Sequence, residues 1–140
     1  MPIKSILVGG VAAGVGDSIL ALVLYRVSLV RIYQSVASGL LGRASFDGGM
    51  RTAALGCFLH FFIATVAATV YVLSARKLRI LTAYPLPCGL AFGCGVYLFM
   101  KYGVVPLSAV TRLTPFEPLA MAGHAVLVGL PIAYACARLQ

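Results

Sequence analysis

Asp17, His60 and His124 are ionisable side chains that sit inside long apolar stretches of this chain. Asp17 falls in "GGVAAGVGDSILALVLY", His60 in "GCFLHFFIATVAATVYVLS" and His124 in "MAGHAVLVGLPIAYACA". An ionised carboxylate facing hydrocarbon costs ~3 kcal/mol or more. Asp17 must therefore be neutral, paired with a cation, or wetted. A histidine at matching depth would be its partner. The pair could act as a structural clasp between helices, or as a proton-exchanging group beside a water-filled pocket. Two histidines and a carboxylate are also a metal-ligand set, provided all three side chains converge. Two histidines on different helices could ligate one haem if both rings faced one cavity. Neither a metal nor any other cofactor is expected here, and the clasp is the leading expectation.

Other chemistry is poorly represented. The chain has no G-x-S-x-G, no P-loop, no H-E-x-x-H and no carboxylate pair at useful spacing, so a non-enzymatic role is expected. Cys57, Cys88, Cys94 and Cys136 form no C-x-x-C pair and read as small buried apolar residues.

The elements that must position Asp17 and the histidines follow from composition. Of 140 residues, 61% are hydrophobic and only 10% charged, and mean hydropathy is +1.02. A soluble chain this small could not hide so much apolar surface, so lipid is its natural solvent. The length suits one domain with about four spans of ~20 residues. The net charge of +8 does not indicate nucleic acid, because the bases fall at or between the ends of the apolar runs. There they meet anionic headgroups and fix topology.

Spans are expected at about residues 3–25, 52–74, 86–105 and 117–136. Lys4 and "VAA" resemble a signal peptide, but apolar sequence runs on to Leu24, so span one is expected to stay uncleaved. Residues 28–42 read as an amphipathic helix lying in the interface. Its apolar face would carry Leu29, Tyr33, Val36 and Leu40, and its other side Arg31, Gln34, Ser35 and Ser38. Asp47 is placed to cap span two. Thr114 and Glu117 make a T-x-x-E capping pattern before span four, with Pro115 at the first helical position.

Four spans put both termini on one side, side A, with the "ARKLR" loop; Arg26, Arg31, Arg43, Arg51, Lys101 and Arg112 belong to side B. The dense "ARKLR" cluster leans side A towards the cytoplasm. Counted from side B, Asp17 and His60 lie ~12 Å deep and His124 ~10 Å, with Tyr97 in the same layer of span three. Around Asp17 one helix face holds Gly10, Ala13, Gly14 and Ala21; around His60 it holds Ala53, Gly56, Cys57 and Ala64. Small stripes such as Gly10-x-x-x-Gly14 and Gly89-x-x-x-Gly93 let helices approach closely. Spans one, two and three are therefore expected to pack together. Spare small faces leave room for a homo-oligomer or another membrane protein.

From residue 49 on, a histidine early in one span, a basic loop and a glycine-rich span precede "VVPLS" and "TPFEPLAMAGH". In this layout the chain resembles the YagU-like family of uncharacterised bacterial inner-membrane proteins. The resemblance covers about the C-terminal two-thirds of the chain. It implies a helical membrane fold in the bacterial inner membrane and draws attention to His60, Pro106, Leu107, Glu117, Gly123 and His124. The N-terminal third departs from that family, whose typical member carries a longer insert there.

The fold expected is therefore all-α: four transmembrane helices in an antiparallel bundle, plus an interfacial helix between spans one and two. Its leading function is that of a membrane protein whose layer of Asp17, His60, Tyr97 and His124 ties the helices together. The alternative is a small oligomeric proton-linked transporter or channel using Asp17 and His60.

Overall fold

Proline begins three of the four spans. Pro2, Pro85 and Pro118 each stand in the first turn of a helix, where their missing N–H costs nothing and their fixed φ suits the helix. A computed structural model of the protein describes residues 1–110 and 114–140, so Arg112, assigned above to side B, lies outside the described residues. The helices are α1 Pro2–Tyr25, α2 Leu29–Leu41, α3 Gly49–Ala75, the single turn α4 Ile80–Ala83, α5 Pro85–Leu107 and α6 Pro118–Leu139. The four long ones, α1, α3, α5 and α6, are each long and apolar enough to cross a membrane. The chain is a multi-pass, all-α membrane protein. At the side A end the Met1 ammonium donates to the Leu139 carbonyl at 3.3 Å, so the two termini lie together.

Two prolines inside spans have a visible consequence. Pro106 and Pro131 cannot donate to the carbonyls four residues earlier, those of Tyr102 and Leu127. Both carbonyls lie in π-helical turns, Met100–Val104 in α5 and Ala125–Gly129 in α6. A widened turn is a common way for a helix to take up such a mismatch. The Leu127 carbonyl then faces Gly16 of α1, where any side chain would collide with it.

Helix α1 lies between α3 and α6. Gly10 opposes Thr65 and Gly14 opposes the Phe61 ring, so the first small stripe does bring α1 against α3. The side A half of the core forms where these three helices meet, around Ala13, Tyr71, Val72, Val128 and Ile132. The second stripe corrects the expectation that spans one, two and three pack together. Gly89 meets Ala133 and Gly129, and Gly93 meets the backbone of His124 and Ala125, so α5 packs on α6. The reason is that small faces on α5 and α6 match each other, glycine against glycine at Gly89 and Gly129.

Helix α2 crosses α3 at Gly56, where a Cβ would land on the Tyr33 carbonyl. This fixes which face of α2 is inward, and it is not the one expected. Gln34 and Ser38 are buried with Ile32 and Ala37, while Leu29 and Leu40 are exposed. The polar side chains are needed inside because the chain reverses there. Gln34 Nε2 donates to the Gly49 carbonyl at 3.1 Å, and Ser45 Oγ donates to the Gln34 carbonyl at 2.6 Å. Leu29 and Leu40 are left facing outward, where lipid suits them. Nor does Asp47 cap span two: Gly48 holds the cap position with no side-chain bond. Thr52 instead donates back to the Ser45 carbonyl at 2.6 Å.

Candidate functional site

Asp17 on α1 stands between two histidines from two other helices. Its Oδ1 is 3.1 Å from His124 Nε2 of α6, and its Oδ2 is 3.9 Å from His60 Nδ1 of α3. The other nitrogen of each ring is engaged by a backbone carbonyl. His124 Nδ1 lies 2.9 Å from the Ala120 carbonyl, and His60 Nε2 lies 2.8 Å from the Gly14 carbonyl. A carbonyl oxygen can only accept, so both of these nitrogens carry a hydrogen. A neutral His124 would then turn a bare lone pair towards a carboxylate at 3.1 Å. A proton shared between His124 Nε2 and Asp17 Oδ1 would turn this approach into a hydrogen bond, whether it is written on the imidazole or on the carboxyl. His60 Nδ1 is too far from Asp17 for a hydrogen bond and feels it as a charge.

Helix periodicity explains why these atoms meet. His124 reaches back four residues to Ala120 on its own helix. Gly14 sits on the Asp17 face of α1 one turn earlier and, having no side chain, leaves its carbonyl open to His60. Ser18 Oγ donates to that same carbonyl at 2.9 Å. It can thus accept from Tyr33 of α2 at 3.0 Å and from His60 Nε2 at 3.2 Å. The amphipathic helix is in this way wired to the cluster.

Tyr97, expected in the same layer, touches only one member of it. Its ring meets the His124 ring edge-on with centroids 5.4 Å apart, and its hydroxyl accepts from the Glu117 N–H at 3.0 Å. Thr114 and Glu117 do not form the expected capping box. Helix α6 starts at Pro118, with Glu117 at its cap position and no side-chain cap bond. The Glu117 carboxylate accepts instead from the Tyr25 hydroxyl at 3.0 Å. Thr114 Oγ1 accepts from Lys101 Nζ, also at 3.0 Å. The T-x-x-E spacing is right, but Pro115 and Pro118 break the register that a capping box needs.

Sequence reasoning passed over Ser18, Tyr33 and Lys101. Ser18 follows Asp17 directly and so does not share its helix face; Tyr33 read as part of an apolar stripe. Lys101 was counted among the basic residues at span ends, yet it is 8% exposed. Its ammonium also donates to the Pro115 carbonyl at 2.8 Å and sits 5.9 Å from the Tyr97 ring centroid. No carboxylate lies within ion-pair distance of it among the described residues. Lys101→Met should therefore loosen residues 114–117. The expected loss is about 1.5–3 kcal/mol of stability with faster amide exchange at Glu117, as hydrogen bonds from a charged donor are worth. Unchanged exchange at Glu117 would show that the connector is held by other contacts.

A cavity of about 210 Å³ opens onto the cluster. Asp17, His60 and His124 line it, with Leu20, Leu24, Ile32 and Val36 as apolar walls and Tyr25 beside them. The Asp17 side chain is 27% exposed and so reachable from it. No three metal-ligating side chains aim at a common point among the described residues. Fold and site together define the class: a four-span helical membrane protein in which three spans bring ionisable groups to one cavity. Neither family models, nor curated proteins, nor solved structures offer a match to this chain.

Proposed function

We propose that this is a non-enzymatic membrane protein built around an intramembrane proton-binding site, Asp17–His124–His60, which also ties α1, α3 and α6 together. The observation that carries it is the His124 Nε2–Asp17 Oδ1 approach at 3.1 Å, with His124 Nδ1 already donating to a carbonyl. A proton between the two atoms would satisfy both, and the cavity lined by Asp17, His60 and His124 supports its exchange. The cluster lies in the half of the bundle nearer Tyr25 and the start of α3, the side B half. The basic residues of the two sides nearly tie in number, so the dense "ARKLR" cluster alone leans that end towards the cytoplasm, and the likeness to YagU-like proteins favours the bacterial inner membrane. Exchange at the cluster would then take place from the periplasmic side.

Nitrogen-15 spectra of histidine-labelled protein in nanodiscs test the proton site. One imidazole is expected to change protonation state together with the Asp17 carboxyl as pH is varied, and Asp17→Asn should uncouple the two. Two histidines titrating independently of residue 17 would refute the site.

A second reading, proton-linked transport, is favoured by the same cavity. A four-span chain is short for a solitary transporter, so this reading requires an oligomer. Proteoliposomes carrying a pH dye should then show a proton flux that Asp17→Asn abolishes. A stable monomer with no flux leaves the clasp alone.

A further inference from the structure

The cavity above the cluster carries two kinds of surface that a proton alone does not need. Its walls, Leu20, Leu24, Ile32 and Val36, are apolar, and Asp17 lends it a carboxylate. The chain has only three acidic residues. Asp17 lines the cavity, and Glu117 accepts from the hydroxyl of the lining residue Tyr25. We infer that this cavity binds a small monovalent organic ammonium ion in competition with the cluster's proton. The inference rests on the proton site proposed above and names its ligand class.

Charge balance gives the exchange its stoichiometry. With its proton, the cluster is neutral: one carboxylate, one imidazolium and one neutral imidazole, or the equivalent acid form. Losing that proton leaves one uncompensated negative charge in a poorly solvated place, which is costly. An ammonium ion beside Asp17 restores neutrality. Its N–H groups or charged methyls meet the carboxylate, its alkyl part meets the leucine and isoleucine walls, and the Tyr25 ring offers a π face. No covalent step is involved; one cation enters as one proton leaves.

The other charged and titratable groups around Asp17 agree with a cation. From α1 comes Tyr25, from α2 Tyr33 through Ser18, and from α3 His60. From α6 come His124 and its cap residue Glu117, and from α5 Tyr97 against His124, with Lys101 behind it turned to Thr114 and Pro115. An anion would face the Asp17 carboxylate. A bare alkali ion would need several oxygens in place of its water, and the lining offers only Asp17, Ser35 and Tyr25 as side-chain oxygen donors.

The test uses the full chain in nanodiscs, weakly buffered, with a pH-indicator dye. Propylammonium chloride is the probe; sodium chloride and sodium propionate are the controls. Propylammonium should release about one proton per cation bound, and its apparent affinity should weaken about tenfold per pH unit once the cluster is protonated. The two controls should release none. Asp17→Asn should abolish both binding and release. Val36→Phe, which narrows the cavity without touching the cluster, should weaken propylammonium binding at least several-fold and leave the nitrogen-15 histidine titration in place. If the titration is present in wild type but propylammonium releases no proton, the ligand inference fails and the proton site stands. If the titration itself is absent, the proton site fails first. Release by sodium equal to that by propylammonium, or binding that survives in Asp17→Asn, would also overturn the inference.

Discussion

His124→Ala should lower the stability of the bundle by about 2–3 kcal/mol, whereas Asp17→Asn should cost under about 1 kcal/mol. The two differ because of what each leaves behind. Removing the imidazole strands Asp17 with His60 Nδ1 3.9 Å away as its nearest charge partner. Breaking a buried ion pair by deleting one member costs about 3–5 kcal/mol, and the partial exposure of this pair reduces that figure. An asparagine at 17 keeps the shape, and its amide can donate to the bare Nε2 of a neutral His124, so one hydrogen bond survives without the extra proton. The double variant should be less damaged than the sum of the singles, with a coupling of about 1–2 kcal/mol in a double-mutant cycle. Reversible unfolding in lipid nanodiscs checks all three. Additive losses would mean that Asp17 and His124 are neighbours without a shared proton. A large loss in Asp17→Asn alone would mean that the negative charge itself holds the bundle.

Gly56→Ala should be the most damaging single-methyl change in the chain. The added Cβ would fall on the Tyr33 carbonyl, which is backbone and cannot rotate away. Helix α2 must lift from α3, at a cost of about 1–3 kcal/mol for the overpacking. With it go the Tyr33–Ser18 bond and the Ile32 and Val36 wall of the cavity. Gly95→Ala is the matched control, since nothing lies within 4 Å of a Cβ there. It should stabilise by about 0.5–1 kcal/mol through helix propensity. Thermal unfolding gives the comparison, and thiol labelling of Cys57, next to Gly56, reports whether α2 has moved. Equal effects at the two glycines would mean that α2 is not seated on α3.

The spans themselves were legible because each announces its own solvent. A run of apolar residues long enough to cross hydrocarbon needs no partner to be recognised, and all four fall within a few residues of where they were expected. The alignment in depth of Asp17, His60 and His124 was legible for the same reason: depth is residue count times rise. The close approach at Gly10 and Gly14 could also be read, because a helix with two glycines one turn apart offers a groove whatever fills it.

What fills the groove was decided elsewhere. Gly89 and Gly93 could have met any span, and only the matching glycine at 129 on α6 selects it. The inward face of α2 depends on backbone groups left unpaired at the reversal before Gly49, which Gln34 and Ser45 satisfy. No periodicity encodes that need. Thr114 shows the same limit, since its hydroxyl serves Lys101, thirteen residues away on another helix, and not its own. The most consequential case is the proton. Sequence alone determined that a carboxylate and two histidines share one layer of a membrane bundle. Only the tertiary structure, by giving the Ala120 and Gly14 carbonyls to one nitrogen of each ring, decided which nitrogen of His124 faces Asp17. Hydrogen-bond direction is a property of converging atoms, and the chain brings these together from three different spans.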